Sequence, residues 1–228
     1  MLPSYATGFA RGMLSDLPWA WEGLVGAWQM SLGASGIAGS GLLRDWSGYH
    51  NHGMLKGAAK FITGVAGNVI EFDGNAGTYI DLGSPTSLAT ASASCIARVK
   101  IHATGSYMGI ICLNSAPQFC VSGDTKARWY AQNQANTALS ADIWYTLAVT
   151  SDGENTTNGL KYYLDGIPDG VQNSIAGSTT PRQTDIGRWA GADSWLMDGE
   201  IDYILYYNRV LKARQIKELY EKQKQLVT

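Results

Sequence analysis

The run Gly199-Glu200-Ile201-Asp202-Tyr203-Ile204-Leu205-Tyr206-Tyr207-Asn208-Arg209 constrains this chain more than any other segment. It is dense in β-branched and aromatic residues and free of Pro, so it reads as one long strand that closes a sheet. Ile186-Gly187-Arg188-Trp189 and a polar loop precede it as a turn, and an amphipathic helix follows at about residues 211–225. In that helix Ile216, Leu219, Tyr220 and Gln223 form a stripe, while Lys217, Glu218, Glu221, Lys222 and Lys224 occupy the other sides as a solvated face.

The rest of the chain repeats the strand signal in short pieces. Gly23–Trp28, 66–74, 78–83, Ser94–Ile101, Tyr107–Leu113, Gln118–Val121, Lys126–Ala131, Trp144–Ser151, Leu160–Leu164 and Thr184–Ile186 are apolar or alternating runs separated by turn formers. Asp165-Gly166 is a tight-hairpin signal. With 27 Gly, 8 Trp and 12 Tyr in 228 residues, this spacing predicts an all-β fold, a two-sheet antiparallel jelly-roll sandwich with a short C-terminal α-helix. Two units follow: residues 1–22, an arm that docks on a partner or wraps the domain, and residues 23–228, the sandwich with its helix. The arm carries Tyr5, Trp19 and Trp21 without a regular period, and rings of that size need cover.

Charge and composition remove several classes. A net charge of −2 with no early Lys/Arg cluster gives a nucleic-acid or anionic-membrane partner no electrostatic support. No apolar run reaches the roughly 20 residues of a membrane span. Arg11, Asp16 and Glu22 interrupt the start, so no signal peptide is expected. Cys95, Cys112 and Cys120 allow at most one internal disulfide, Cys112–Cys120 across a hairpin, or three buried thiols.

Seven words in order carry a resemblance: Gly23-Leu24-Val25-Gly26-Ala27-Trp28; Arg44-Asp45-Trp46-Ser47-Gly48-Tyr49-His50-Asn51-His52-Gly53; Val69-Ile70-Glu71-Phe72-Asp73-Gly74 with Tyr79-Ile80-Asp81-Leu82-Gly83; Trp144 to Gly153; Tyr162-Tyr163-Leu164-Asp165-Gly166; Ile186-Gly187-Arg188; and Gly199 to Leu211. Over about residues 23–220 the chain resembles the laminin-G-like jelly roll of the concanavalin-A-like lectin/glucanase superfamily, and is similar to stand-alone copies in phage structural proteins. The resemblance implies a module that binds glycan or protein, on a virion or extracellular surface. It also implies a structural Ca²⁺ that joins Asp202 on the closing strand to backbone carbonyls near the N-terminal loops, with Asp45 and Asp73 as candidate neighbours. The alternative is that Asp45 and Asp73 make Asx turns and Asp202 bonds backbone amides.

Hydrolases of the same superfamily carry Glu-x-Asp followed by a further Glu. Glu200 and Asp202 supply the first two positions, but Ile204 and Leu205 stand where the acid/base belongs, so no enzyme is expected. His50-Asn51-His52 lacks a third metal ligand at useful spacing and reads as a loop. Binding a sugar needs aromatic platforms and planar hydrogen-bonding groups. Trp129 and Tyr130 adjoin Asn133, and Arg188-Trp189 adjoins Asp193-Ser194-Trp195. Alternation lets only one of Trp129 and Tyr130 face the core. The leading expectation is a non-catalytic module for a glycan or a surface protein. A capsid-decoration or appendage subunit, assembled with virion or homo-oligomer partners through residues 1–23, is the second. A glycoside hydrolase is the third, and the incomplete carboxylate set stands against it.

Overall fold

A computed structural model describes residues 14, 16–30, 41–64, 67–114, 118–129 and 133–226. The strands are β1 (Leu24–Gln29), β2 (Leu42–Leu43), β3 (Gly53–Lys56), β4 (Lys60–Gly64), β5 (Gly67–Asp73), β6 (Tyr79–Asp81), β7 (Ala93–Ile101) and β8 (Met108–Leu113). They continue with β9 (Gln118–Val121), β10 (Lys126–Trp129), β11 (Asn133–Ala138), β12 (Trp144–Ser151), β13 (Leu160–Leu164), β14 (Ile167–Gln172), β15 (Thr184–Ile186) and β16 (Asp198–Tyr207), before a helix at Ala213–Leu226.

Two antiparallel sheets of 8 strands face each other. The first runs β14-β13-β12-β7-β16-β5-β4, with β1 also paired to β16; the second runs β11-β10-β9-β8-β15-β6-β3-β2. β16 is the hub of the first sheet. It pairs with β7 from Gly199 to Tyr207, and its other edge is shared end to end by β5 (Asp198–Ile201) and β1 (Tyr203–Tyr207).

A bulge at Asp202 shifts the register of β16 against β7. Side chains alternate sides along a strand, so one extra residue reverses the parity beyond it. Ile201, Ile204 and Tyr206 therefore face the core between the sheets, with Phe72, Val99, Ile111, Phe119 and Trp129. Tyr203, Leu205 and Tyr207 face outward, where Ile216 and Leu219 of the helix cover them together with Leu14 and Ala20.

The arm meets the helix directly: Trp19 Nε1 donates to Glu218 Oε2 at 3.0 Å and Lys222 reaches Asp16 at 2.8 Å. Arg209 donates to the carbonyls of Trp19 and Glu22, locking the same segment to the end of β16. Trp19 and Trp21 are half-buried against this layer. Tyr5 lies outside the described residues.

All three cysteines are free and buried, which resolves the pairing that the sequence left open. Cys112 stands opposite Gln118 and Cys120 opposite Gly109, so the β8–β9 register sets the two thiols on different rungs of the hairpin.

Trp129 is 2 % exposed and its ring lies 6.2 Å from that of Phe119 and 6.5 Å from that of Tyr206. Emptying such a site leaves a cavity that neighbours fill only partly. Trp129→Ala is expected to cost about 3–5 kcal/mol in urea unfolding, whereas a thiol reductant is expected to leave the wild-type midpoint unmoved.

Candidate functional site

Three loops meet at one end of the sandwich: the turn after β5, the β7–β8 connection and the β15–β16 connection. The last of these does most of the shaping. Gly187 N–H donates to Ile110 O, Met197 N–H to Gly187 O and Gly74 N–H to Met197 O, so this loop is pinned to β8 and to the β5 turn. Gly109 N–H donates to Trp195 O at 2.7 Å, and a Cβ at Gly109 would stand 2.6 Å from Arg188 O. The bare backbone of β8 is what lets the loop lie down on the sheet.

Trp195 sits at φ 54, a left-handed conformation rarely adopted by a bulky side chain. That backbone aims its ring onto Tyr107, with centroids 4.9 Å apart and planes 20° from parallel. Trp189 meets the same indole edge-on at 4.2 Å. Arg128 fixes the end of the Tyr107 side chain, its Nη1 donating to the phenol oxygen at 2.5 Å. Tyr107 is 36 % exposed. Beside these rings opens a cleft of about 540 Å³, lined among others by Ser106, Tyr107, Ser194, Trp195, Asp73 and Asp198.

The two carboxylates differ. Asp73 accepts hydrogen bonds from the side chain and backbone N–H of Asn75, and these, with Thr78, hold its pKa below the usual aspartate value. Asp198 stands directly opposite Asp73 in the β5–β16 ladder, is half-buried, and its carboxylate has no hydrogen-bond partner among the described residues. Asp193 braces the rim: its Oδ1 accepts from Arg188 Nη1 at 2.8 Å and from Gly77 N–H at 3.2 Å. Arg188 also donates Nε to the fully buried Asp185 at 2.8 Å, and its guanidinium lies 3.2 Å above the Tyr79 ring.

Of the residues singled out from sequence for a ligand, Arg188, Trp189, Asp193 and Trp195 come together in this loop. Arg188 is buried and fully engaged, so it supports the loop and does not present a free guanidinium. Trp129 must be corrected: it is a core ring, because β10 turns it inward between the sheets. Tyr130 lies outside the described residues. Asn133 opens β11 in register with Trp129, in a strand and not a loop. Sequence reasoning missed Tyr107 and Asp198. Tyr107 was expected to begin a strand; β8 starts one residue later, at Met108, whose side chain is buried while Tyr107 stays outside. Asp198 gave no signal, since only the ladder sets it beside Asp73.

The carboxylates expected around calcium do not converge. Asp202 is ion-paired to Arg98 at 2.8 Å; burial pushes its pKa up and the guanidinium pulls it back. Asp45 is buried and saturated by Ala27 N–H, Ser47 N–H, Ser47 Oγ and Asn51 N–H at 2.8–2.9 Å, tying its loop to β1. Asp73 faces the cleft. No group of three or more His, Cys, Asp or Glu suited to a metal occurs among the described residues. Glu200 lies 2.5 Å from Lys100 Nζ and 3.5 Å from His102 Nε2, on the outward face of the sheet. His52 accepts from Asp45 N–H at 3.0 Å, a loop contact, and burial lowers its pKa.

Residues 73–217 match a family described as the concanavalin A-like lectin/glucanases superfamily, laminin G type. The chain belongs to this superfamily. No curated protein sequence matches it. Among solved structures, a Trypanosoma rangeli sialidase in complex with sialic acid superposes with a TM-score of 0.66 at 18 % identity, over 90 % of this chain and 33 % of the sialidase. The chain thus spans about one third of the length of that protein. The binding domain of Paraclostridial Mosquitocidal Protein 1 gives 0.67 at 11 % identity, over 88 % of this chain and 52 % of the other. Domain 4 of AbnA, a GH43 extracellular arabinanase from Geobacillus stearothermophilus in complex with arabinotriose, gives 0.62 at 16 % identity, over 86 % of this chain and 98 % of that domain. At these identities the likeness is one of fold.

Because Arg98 already supplies the positive charge beside Asp202, neither added Ca²⁺ nor EDTA is expected to move the melting temperature by more than about 1 °C; a ligand bound at 100 times its Kd would contribute about 2.7 kcal/mol and shift it by several degrees.

Proposed function

We propose that this chain is a non-catalytic recognition module that holds a glycan in the cleft between the β5 turn and the β7–β8 and β15–β16 loops. The observation that carries this reading is the Tyr107–Trp195 stack beside the unpartnered carboxylate of Asp198. Sugar rings present apolar C–H faces to aromatic side chains and a rim of hydroxyls to acceptors. The cleft offers both within one wall, with the Ser106 and Ser194 side chains alongside. The strain held at Trp195 fits the same reading, since unfavourable backbone angles persist where the surroundings impose them and cluster at ligand sites. The arabinotriose held by the arabinanase domain, over nearly the whole of a similar fold, adds support.

Two features favour binding without turnover. Asp73 is stabilised in its ionised form, the opposite of what a proton-donating acid requires. Glu200 and Asp202 are each paired with a cation, away from the cleft. A glycan array with wild-type protein, Tyr107→Ala and Trp195→Ala tests the reading. Each variant is expected to keep the wild-type unfolding profile within a few degrees and to weaken binding about tenfold or more, or about 1.4 kcal/mol. Unaltered array signals in both variants would move the site elsewhere. Release of reducing ends from any bound polysaccharide would end the non-catalytic assignment.

A further inference from the structure

The charged side chains that line the cleft are Asp73 and Asp198; no Lys, Arg or His is among its lining residues. The nearby guanidiniums are committed elsewhere. Arg188 is shared between Asp185 and Asp193, and Arg128 is bonded to the Tyr107 phenol. Asp73 is held ionised by Asn75 and Thr78, and Asp198 lies across the ladder from it with both oxygens unpartnered among the described residues. A ligand resting on the Tyr107–Trp195 wall therefore meets an anionic floor.

Resting on the glycan reading above, we propose that this cleft selects uncharged sugars, with Asp198 as the specificity-determining residue that accepts hydroxyl hydrogen bonds and turns away carboxylated sugars such as sialic and uronic acids. A carboxylate accepts hydrogen bonds from two neighbouring hydroxyls and gains from both, because charge-assisted bonds are the stronger kind. The same group facing a second carboxylate can only lose: it has no proton to donate, and like charges a few ångströms apart in a partly desolvated cleft repel. Asp73 adds to the repulsion from the facing strand.

The test compares matched immobilised glycans that differ only in charge: a galactose-terminated chain with its sialylated form, and xylohexaose with its glucuronic-acid-substituted form. Wild-type protein is expected to bind the charged member of each pair about tenfold more weakly than the neutral one, about 1.4 kcal/mol. That gap should shrink when NaCl is raised from about 0.01 M to about 1 M, as the screening length falls from about 30 Å to about 3 Å. Asp198→Asn is expected to raise binding of the charged member and close most of the gap. Asp73→Asn serves as the second variant and should narrow the gap less, because its Asn75 and Thr78 partners already hold the side chain. Equal binding of both members, preference for the charged one, or a gap untouched by Asp198→Asn and by salt overturns the inference and leaves the glycan reading standing. Absence of binding to any neutral or charged glycan overturns both.

Discussion

β16 pairs with β7 from Gly199 to Tyr207 around a single bulge and with β5 and β1 on the opposite edge, and the first sheet, the helix layer and the cleft take their positions from that strand. The extra residue at Asp202 is the decisive local event. Upstream of it the strand has a polar outward face, Glu200 with its Lys100 partner; downstream both faces are apolar. The outward rings of Tyr203 and Tyr207 then require a cover, which the C-terminal helix and the residues around Ala20 provide. The bulge keeps Asp202 itself on that same face, where Arg98 neutralises it and Trp144 lies beneath the guanidinium at 4.4 Å. A buried carboxylate without such a partner would be strongly destabilising.

The start of the same strand builds the cleft. Asp198 is its first residue, and the loop before it is laid across β8 through Gly109 and stapled to the β5 turn through Arg188 and Asp193. Buried Asp185 anchors that staple from within the second sheet. The aromatic wall is thus held by charged contacts on one side and by strand pairing on the other. Rigid placement of this kind lowers the entropy lost when a ligand orders the loops around it.

Most long strands were legible because their residues alternate or form bounded apolar runs: β5, β7, β8, β12, β13 and β16 fall where the pattern predicts. The strands that escaped notice are short or polar, and several lie at sheet edges. β14 contains Pro168 and Gly170 and reads as a turn, yet it is tolerated as an outer strand paired on one side to β13. β11, Asn-Gln-Ala-Asn-Thr-Ala, looks like an amide-rich loop, but it closes the second sheet and buries Ala135. β2, β3 and β4 are short runs set between Gly-containing turns, where pairing partners decide the conformation. Trp129 and Trp195 look alike in sequence, each an indole beside polar residues. One is a core ring and the other stacks at a cleft, because only β10 has a facing sheet to bury its side chain.

The amino-acid sequence alone determined the fold family, the long closing strand, the helix stripe at Ile216 and Leu219, and the loop in which Arg188, Trp189, Asp193 and Trp195 gather. These depend on local propensity and on the period of burial, which any reader of the chain can count. Tertiary structure alone decided that Tyr107 meets Trp195, that Asp198 faces Asp73, and that Asp45 and Asp202 spend their charge on amides, a hydroxyl and a guanidinium. Those relations join residues far apart in the chain, and their geometry follows from strand register and bulges that shift parity by one residue, which periodicity does not encode.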